Sequence, residues 1–271
     1  MTLEKWISAH PYLRPIAEFH AQVTEAMNHA AMAKAGIPDW PNYAVDYREG
    51  LPLLRSSHTE LNYMDLERIV ASLLEQLVIT PLPGPLKREC LDIWGQFQSS
   101  SEVRWRAVAA LLGNEELAVL HPGLFRHIGW TALVRYLGPL LAAFEHWRDE
   151  ESWSQPYCPV CGSGPSMSQL VGADSGRRRL LVCSRCETRW SFRRMGCPFC
   201  ENTSSHRISV LAIEGEKHLR IDYCNSCSGY LKTYDGEGAE NVMLADWTSL
   251  HLDLLAQDRG LKRLATSLYE I

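Results

Sequence analysis

The first 150 residues place apolar side chains at helical spacing. From Ile16 to Ala30, apolar residues recur every three or four positions, and Gly36 and Pro38 end the run. The same spacing predicts further helices over residues 65–78, 86–97, 102–112 (after serines at 99–101), 115–120 and 124–147. Residues 38–58, which begin Pro-Asp-Trp-Pro-Asn-Tyr, are predicted to be irregular. The pattern therefore predicts an all-helical N-terminal domain, residues 1–155, with short connections.

Beyond a polar linker that ends at Pro156, the period changes from helical to alternating. Two hairpins are predicted, one with strands at 167–171 and 179–182 around a turn at 173–176, and one with strands at 208–212 and 219–223 around a turn at 214–216. An aromatic residue, Trp190 or Tyr230, follows each hairpin and predicts a third strand. Helical spacing then returns: Asp246 is placed to cap a helix, and residues 261–269 are predicted to continue it.

Composition narrows the class of protein. Apolar residues make up 46% of the chain and charged residues 22%, which is typical of soluble globular proteins. The most hydrophobic segment, residues 130–144, is short and contains Arg135, whereas a membrane-spanning helix needs about 20 apolar residues. The first residues include no apolar run of signal-peptide length. We therefore expect a cytoplasmic protein without membrane insertion.

Eight of the nine cysteines form four Cys-x-x-Cys pairs within a repeat. "CPVC" and "CSRC" are 21 residues apart, and "CPFC" and "CNSC" are 23 apart. In a chain without an export signal, this pattern favours metal thiolates over disulfides. The ninth, Cys90, lies in a predicted helix and is interpreted as a small buried residue. The repeat predicts two tandem rubredoxin-like or zinc-ribbon subdomains, residues 156–195 and 196–235, before a C-terminal helical tail, residues 236–271.

The hairpins favour a sequential grouping of the thiols, because they bring the first and second pair of each copy together. This grouping assigns site 1 to Cys158, Cys161, Cys183 and Cys186, and site 2 to Cys197, Cys200, Cys224 and Cys227. A cross-brace of 158/161 with 197/200, and a nested site of 183/186 with 197/200, are the alternatives. Four thiolates suit either zinc or a rubredoxin-type iron.

We predict that the protein is not an enzyme. Four thiolates close the coordination shell and leave no position for substrate. The sequence contains no phosphate-binding glycine loop, no Gly-x-Ser-x-Gly and no His-Glu-x-x-His. Four histidines of the helical half are interpreted as surface or hydrogen-bonded residues rather than ligands, namely His20, His29, His127 and His146.

Two alternative functions are also suggested, one by the charge of the cysteine region and one by the redox chemistry of rubredoxin-type iron. Residues 158–234 carry a formal charge of +5, which falls to about +1 once eight thiolates bind two divalent ions. Arginines at 177–179, 193 and 194, with Trp190, Phe192 and Tyr230 available to stack on bases, suggest a zinc-ribbon nucleic-acid-binding protein as an alternative. A rubredoxin-like electron carrier is a second alternative. Because the charge after metallation is small and the rest of the chain is acidic, we expect no nucleic-acid partner.

The chain resembles the FdhE family of formate dehydrogenase accessory proteins. The resemblance rests on "YCPVCGSGP" (157–165), "CSRCETRW" (183–190), "CPFC" (197–200) and "CNSCSGYLKTY" (224–234), and it extends to "PYLRPIAEFHAQ" (11–22) and "DWTSLHLDLLAQDRG" (246–260). It implies a helical domain followed by two rubredoxin-like subdomains. An N-terminal extension common in the family is not expected here, nor is any partner contact that it would make.

The resemblance also implies a function. The expected role is chaperone-like: a maturation factor that binds the immature catalytic subunit of a respiratory formate dehydrogenase in the cytoplasm, before export by the twin-arginine route. Iron or zinc is expected at the two sites. Self-association is compatible with this role.

Overall fold

The N-terminal half of the chain is helical. The computed structural model describes residues 2–113, 118–172, 176–237 and 241–269. Its helices here are α1 (Leu3–Ala9), α2 (Arg14–His29), α3 (Trp40–Arg48), α4 (Tyr63–Ile79), α5 (Gly84–Ser99), α6 (Ser101–Leu112) and α7 (Pro122–Trp147), with single 3-10 turns at Pro11–Leu13, Leu53–Arg55 and Glu150–Ser152.

Helix α4 lies at the centre of this half. Its buried side chains recur at the i, i+3, i+4 spacing of one helical stripe: Leu66, Ile69, Val70, Leu73, Leu74 and Leu77. The stripe packs against α2, α5, α6 and α7. The Asn62 side chain begins the helix by accepting hydrogen bonds from the Met64 and Asp65 amides. The apolar period along the chain therefore forms a helical core around α4.

The C-terminal half contains one six-stranded sheet. Its strands are β1 (Pro165–Val171), β2 (Arg178–Cys183), β3 (Arg189–Phe192), β4 (Ile208–Ala212), β5 (Leu219–Cys224) and β6 (Tyr230–Asp235), in the spatial order β3-β2-β1-β6-β5-β4. Strands β1 to β3 form one antiparallel unit and β4 to β6 another. Parallel pairing of β1 with β6 joins the two units, and the Ser168 and Thr233 hydroxyls meet across it at 2.7 Å.

The tail packs on the second unit. It contains α8 (Asn241–Leu244), a 3-10 turn (Asp246–Ser249) and α9 (Leu250–Gln257). Under it, the fully buried Lys232 ammonium of β6 lies 2.7 Å from carboxylate oxygens of both Asp246 and Asp253, and Arg263 forms ion pairs with the same two carboxylates. The tail is therefore attached to the sheet by buried charges as well as by apolar packing.

The predicted fold class is confirmed: a helical half precedes two three-stranded units and a C-terminal helix. The domain boundaries at 155/156, 195/196 and 235/236 stay predictions. Among the described residues, no helix combines the length and the apolar character that a membrane crossing needs.

Several local predictions were wrong. Residues 38–58, predicted to be irregular, contain α3, which starts at a proline-bearing first turn and buries Tyr43 and Tyr47 in an aromatic cluster where Trp40 stacks on Trp147 at 4.8 Å. Helix α1 was not predicted. Residues 261–269 are not helical; Lys262 instead forms a parallel bridge with Gly229.

Two other predictions fall partly outside the described residues. Of the predicted helix at 115–120, residues 115–117 are outside, and the described residues 118–120 are not helical. Of the turn predicted at 173–176, residues 173–175 are outside.

The prediction that Asp246 caps a helix was wrong. Asp246 does not cap a helix, because its carboxylate is engaged by Lys232 and Arg263.

Candidate metal centres

The four Cys-x-x-Cys segments fold into the same turn. In each, the amide of the first cysteine donates to the carbonyl five residues later: Cys158 to Ser163, Cys183 to Thr188, Cys197 to Asn202 and Cys224 to Gly229, all at 2.9–3.0 Å. The residue after the second cysteine has left-handed backbone, with φ of 74° at Gly162, 58° at Glu187, 55° at Glu201 and 59° at Ser228. Because three of these four are not glycine, the turn holds them in a conformation that costs on the order of 1–3 kcal/mol each.

This turn directs backbone amides at the sulfurs. The amide two residues after the first cysteine donates to its Sγ at 3.4 Å in all four turns: Val160 to Cys158, Arg185 to Cys183, Phe199 to Cys197 and Ser226 to Cys224. In two turns the intervening residue is Pro159 or Pro198, which has no N–H and fixes φ for the curl. The turns are therefore built to stabilise thiolate sulfur.

The eight thiols form two groups of four. Cluster 1 contains Cys158, Cys161, Cys183 and Cys186, and cluster 2 contains Cys197, Cys200, Cys224 and Cys227; within each, all Sγ atoms lie within 4.8 Å of one another. This is the sequential grouping expected from the hairpins. Neither the cross-brace nor the nested group occurs among the described residues.

The sulfur spacing fits a tetrahedral ion. A metal–sulfur bond of about 2.3 Å gives sulfur–sulfur edges of about 3.8 Å in a tetrahedron. The Sγ–Sγ distances are 3.5 Å (Cys158–Cys186), 3.4 Å (Cys161–Cys183) and 3.7 Å (Cys161–Cys186) in cluster 1, and 3.7 Å for both Cys197–Cys227 and Cys200–Cys224 in cluster 2. Each cluster could therefore hold one metal ion. Binding itself stays a prediction.

Cluster 1 is enclosed. Its four cysteines are 0–4% exposed. The 3-10 turn at Leu53–Arg55 covers the first knuckle with two backbone hydrogen bonds, from the Leu53 amide to the Pro159 carbonyl and from the Leu54 amide to the Val160 carbonyl, both at 2.9 Å. The helical half therefore forms one wall of this site.

Cluster 2 lies at the surface. Cys200 is exposed and Cys227 is half-buried, while Cys197 and Cys224 are buried. Its neighbours include residues of the second unit and of the tail: the Lys262 amide donates to the Ser228 carbonyl at 2.8 Å. The same turn geometry thus occurs in two different environments.

Both clusters contain thiols whose pKa values are shifted by their surroundings. Burial raises the pKa of the Cys158 and Cys183 thiols well above the ordinary value, because a thiolate there loses contact with water. A divalent cation among the sulfurs reverses this preference by supplying the compensating charge. In cluster 2, burial likewise raises the pKa of Cys197. Burial also acts to raise the pKa of Cys224, but hydrogen bonds from the Ser226 and Cys227 amides and from the Cys200 and Cys197 thiols together outweigh it and lower that pKa to about 7.

Two arginines lie near the clusters. Sequence analysis named Arg179 only as a possible nucleic-acid contact and assigned no role to Arg185. Arg185, inside the "CSRC" pair, donates from Nη1 to the Gly113 carbonyl at 3.2 Å, and its guanidinium lies 5.5 Å from the Trp130 ring centroid. Buried Arg179 donates to the Gly196 carbonyl at 2.9 Å, one residue before cluster 2. Burial lowers the pKa of both guanidiniums, and thiolates nearby act to raise it. Each arginine therefore places positive charge close to a cluster.

The aromatic residues proposed to stack on nucleic-acid bases are not available for it. Trp190 is 1% exposed, Tyr230 4% and Phe192 7%. Trp190 Nε1 donates to the Gln155 carbonyl at 3.1 Å, and the Tyr230 hydroxyl donates to Asp253 at 2.6 Å. These side chains hold the sheet to its neighbours, so the structure removes the stacking argument for a nucleic-acid-binding protein.

The remaining candidates occupy other places. Cys90 is fully buried in α5, as expected for a packing residue. His29 lies on the surface 3.1 Å from Glu25, and His127 packs edge-on against His20 in the helical half. None of these histidines belongs to a group of converging metal-ligand atoms among the described residues.

Comparison with known proteins identifies similar sequences and a solved structure with a similar fold. Residues 157–194 match the family described as "FdhE, central domain", and residues 195–269 match "FdhE, C-terminal domain". The chain is 34% identical over 137 residues to "Protein FdhE homolog" of Aquifex aeolicus (strain VF5), covering 47% of each chain. It is 35% identical over 157 residues to the homolog of Stutzerimonas stutzeri (strain A1501), covering 51% of this chain and 48% of that protein.

These matches span about half the length of the relatives. The crystal structure of the FdhE protein from Pseudomonas aeruginosa superimposes with a TM-score of 0.64 over 95% of this chain and 88% of that one, at 21% identity. At this identity the likeness shows that the two chains share a fold.

Proposed function

Because the chain belongs to the FdhE family, we propose that it is an accessory protein for the maturation of a formate dehydrogenase, and that it is not itself an enzyme. The observation that carries this proposal is the pair of four-thiol clusters within the two segments that match FdhE domains. A closed thiolate shell organises structure and leaves no position for substrate.

The proposal extends to the metals and the partner. Each cluster holds one ion, iron or zinc, and the ion organises the turns around it. The folded protein binds the immature catalytic subunit of a respiratory formate dehydrogenase in the cytoplasm, before twin-arginine export. Shared pairing of β1 with β6 supports a partner surface made by both units together, since it fixes their relative position.

Co-purification tests the partner. A tagged catalytic subunit is expressed with the wild-type chain, with a chain in which all eight cluster cysteines are serine, and with His29→Gln as a matched surface control. We expect the wild type and the control to co-purify and the cysteine-free chain to be lost. Equal retention of all three would show that metallation does not organise the binding surface, and no retention of the wild type would reject the partner.

The exposed position of Cys200 supports a second candidate function. Electron exchange requires the redox centre to approach the surface, and cluster 2 meets this condition whereas cluster 1 does not. In a rubredoxin-like electron carrier, anaerobically purified protein would contain iron and turn red on oxidation. Colourless, zinc-only protein that retains partner binding would remove this candidate.

A further inference from the structure

Three ligand-type side chains from distant parts of the chain converge outside the two clusters. His10 follows α1, Glu216 lies in the β4–β5 turn, and His251 is in α9. Their donor atoms lie within 4.8 Å of one another. Glu216 Oε1 is 3.0 Å from His10 Nε2 and 3.1 Å from His251 Nε2. Both imidazoles therefore direct the same kind of nitrogen at one carboxylate oxygen.

A neutral His10 ring cannot donate a hydrogen bond to both of its neighbouring acceptors. Its Nδ1 lies 3.1 Å from the Trp6 carbonyl, and its Nε2 lies 3.0 Å from the Glu216 carboxylate. Both partners are acceptors, but a neutral imidazole has a single N–H. With Nδ1–H donating to the carbonyl, the Nε2 lone pair faces a carboxylate oxygen. A second proton or a metal cation is needed between them.

A metal cation satisfies the group, as does a single proton on His10 with a neutral His251 that donates Nε2–H to Glu216. A carbonyl-bound Nδ1–H with Nε2 free is the arrangement that commonly orients metal-binding histidines. The His10 and His251 rings stack at 5.1 Å, so protonating both would place two positive charges face to face. One ion can instead accept a lone pair from each ring while neutralising Glu216.

The site is also accessible. Side-chain exposures are 15% for His10, 13% for Glu216 and 19% for His251, which leaves a path from solvent. His251 Nδ1 is buried and has no hydrogen-bond partner among the described residues. No hydrogen bond at Nδ1 therefore decides which of the two ring nitrogens of His251 carries the proton.

We propose that His10, Glu216 and His251 form a third metal site, for a divalent first-row ion such as Zn²⁺, Co²⁺ or Ni²⁺. Two imidazoles and one carboxylate suit these ions. Three protein ligands leave positions open for water, unlike the closed thiolate clusters. By binding all three side chains, the ion joins the end of α1 and the C-terminal helix α9 to the β4–β5 turn.

Cobalt titration of the intact chain tests the proposal. The full chain is first loaded with two zinc ions in the cysteine clusters and then titrated with Co²⁺. We expect one further equivalent to bind saturably, with weak d–d absorption and without the intense sulfur-to-cobalt charge transfer that thiolate ligation produces. Charge-transfer bands, or the lack of saturable binding, would overturn the proposal.

Variants assign the ligands. Glu216→Gln keeps an oxygen acceptor in the turn but removes the negative charge, and His251→Gln removes one imidazole. Both are expected to retain two zinc ions and to lose the third equivalent. His29→Gln is the matched control, because His29 also lies 3.1 Å from a glutamate but on the open surface of α2, and it should bind like the wild type. Equal binding by all four chains would reject this assignment.

Thermal unfolding separates a metal from a proton. If a cation joins the three segments, added Zn²⁺ raises the Tm of the two-zinc wild type and leaves that of Glu216→Gln unchanged. If His10 is simply an imidazolium paired with Glu216, excess metal moves neither Tm, and this result would refute the site. Should Glu216→Gln fail to fold, His251→Gln provides the same comparison.

Discussion

Clusters 1 and 2 are two copies of one local structure in opposite surroundings. Their turns share the same backbone hydrogen bonds, the same left-handed position and nearly the same sulfur spacing. Cluster 1 is nevertheless covered by the helical half, whereas Cys200 of cluster 2 is exposed. The motif therefore determines the shape of the site, and the packing around it determines how firmly the site is tied to the rest of the fold.

Each unit also has its own attachment. The first unit is attached through the 3-10 turn at Leu53–Arg55 and through Arg185, both of which join the cysteine turns to the helical half. The second is attached through the tail, by Lys232 and its carboxylate partners. We expect loss of cluster 1 to affect the whole molecule and loss of cluster 2 to remain local.

The largest expected effect comes from removing one ligand of each cluster. Cys183→Ser should lose the ion of cluster 1 and the cooperative unfolding transition of the whole chain. Structural zinc contributes on the order of 10–16 kcal/mol in small zinc domains, which is comparable with the roughly 5–15 kcal/mol that holds a typical domain folded. Cys200→Ser should lose one ion and keep the transition of the helical core. Metal analysis and thermal unfolding followed by circular dichroism measure both.

Cys90→Ser is the control, because it removes a buried thiol of the helical half without touching either cluster. An equal fall in Tm for Cys183→Ser and Cys200→Ser would contradict the difference in attachment.

The next effect concerns the attachment of the second unit. Among the described residues, Lys232→Met leaves the two buried carboxylates with Arg263 as their remaining cation, and breaking a buried ionic network costs about 3–5 kcal/mol. Lys217→Met, on the exposed β4–β5 turn, should change the free energy of unfolding by less than about 0.5 kcal/mol. Urea unfolding gives both values, and a neutral result for Lys232→Met would mean that the network does not hold the tail.

Local features of the fold were predictable from the sequence. The cysteine turns close within about six residues, and each hairpin shows its alternation on both sides of a turn, so spacing alone located the cysteine turns and the strands. Features that join distant residues were not predictable. Parallel pairing of β1 with β6 joins residues 65 apart and has no turn to mark it. Lys232 sits in an alternating strand like a surface residue, yet the tail buries it completely.

The candidate site shows the same division. The eight cysteines were found by spacing, because each pair is local. The difference in burial between the two clusters could not be found by spacing, because it depends on residues such as Leu53 that lie about a hundred positions away in the sequence. Helix α3 was missed although Trp40, Tyr43 and Tyr47 recur at helical spacing, because prolines at 38 and 41 interrupt the run and its buried side chains are aromatic residues that pack against Trp147. His10, Glu216 and His251 are distant in sequence and carry no spacing signal.

Metal release should distinguish the clusters kinetically. With a chelator in excess, we expect metal to be released in two phases of equal amplitude. The rate constant of the fast phase should exceed that of the slow phase by at least about tenfold, which corresponds to a difference of about 1.4 kcal/mol in the free energy of local opening. The fast phase belongs to cluster 2, whose sulfur is already exposed, so it should be missing in Cys200→Ser. A single phase in the wild type would show that the two environments do not control release.

The most local of the expected effects isolates one contact of cluster 1. Arg185→Gln removes the cation over Trp130 and weakens the hydrogen bond to Gly113, a loss of about 1–2 kcal/mol. The slow chelation phase should accelerate while the fast phase stays constant, because Arg185 contacts the helical half and not the second unit. Arg194→Gln, an exposed arginine between the clusters, should change neither phase. If Arg185→Gln accelerated the fast phase instead, the two clusters would share one opening event, and the sheet that joins them rather than the wall around cluster 1 would control metal release.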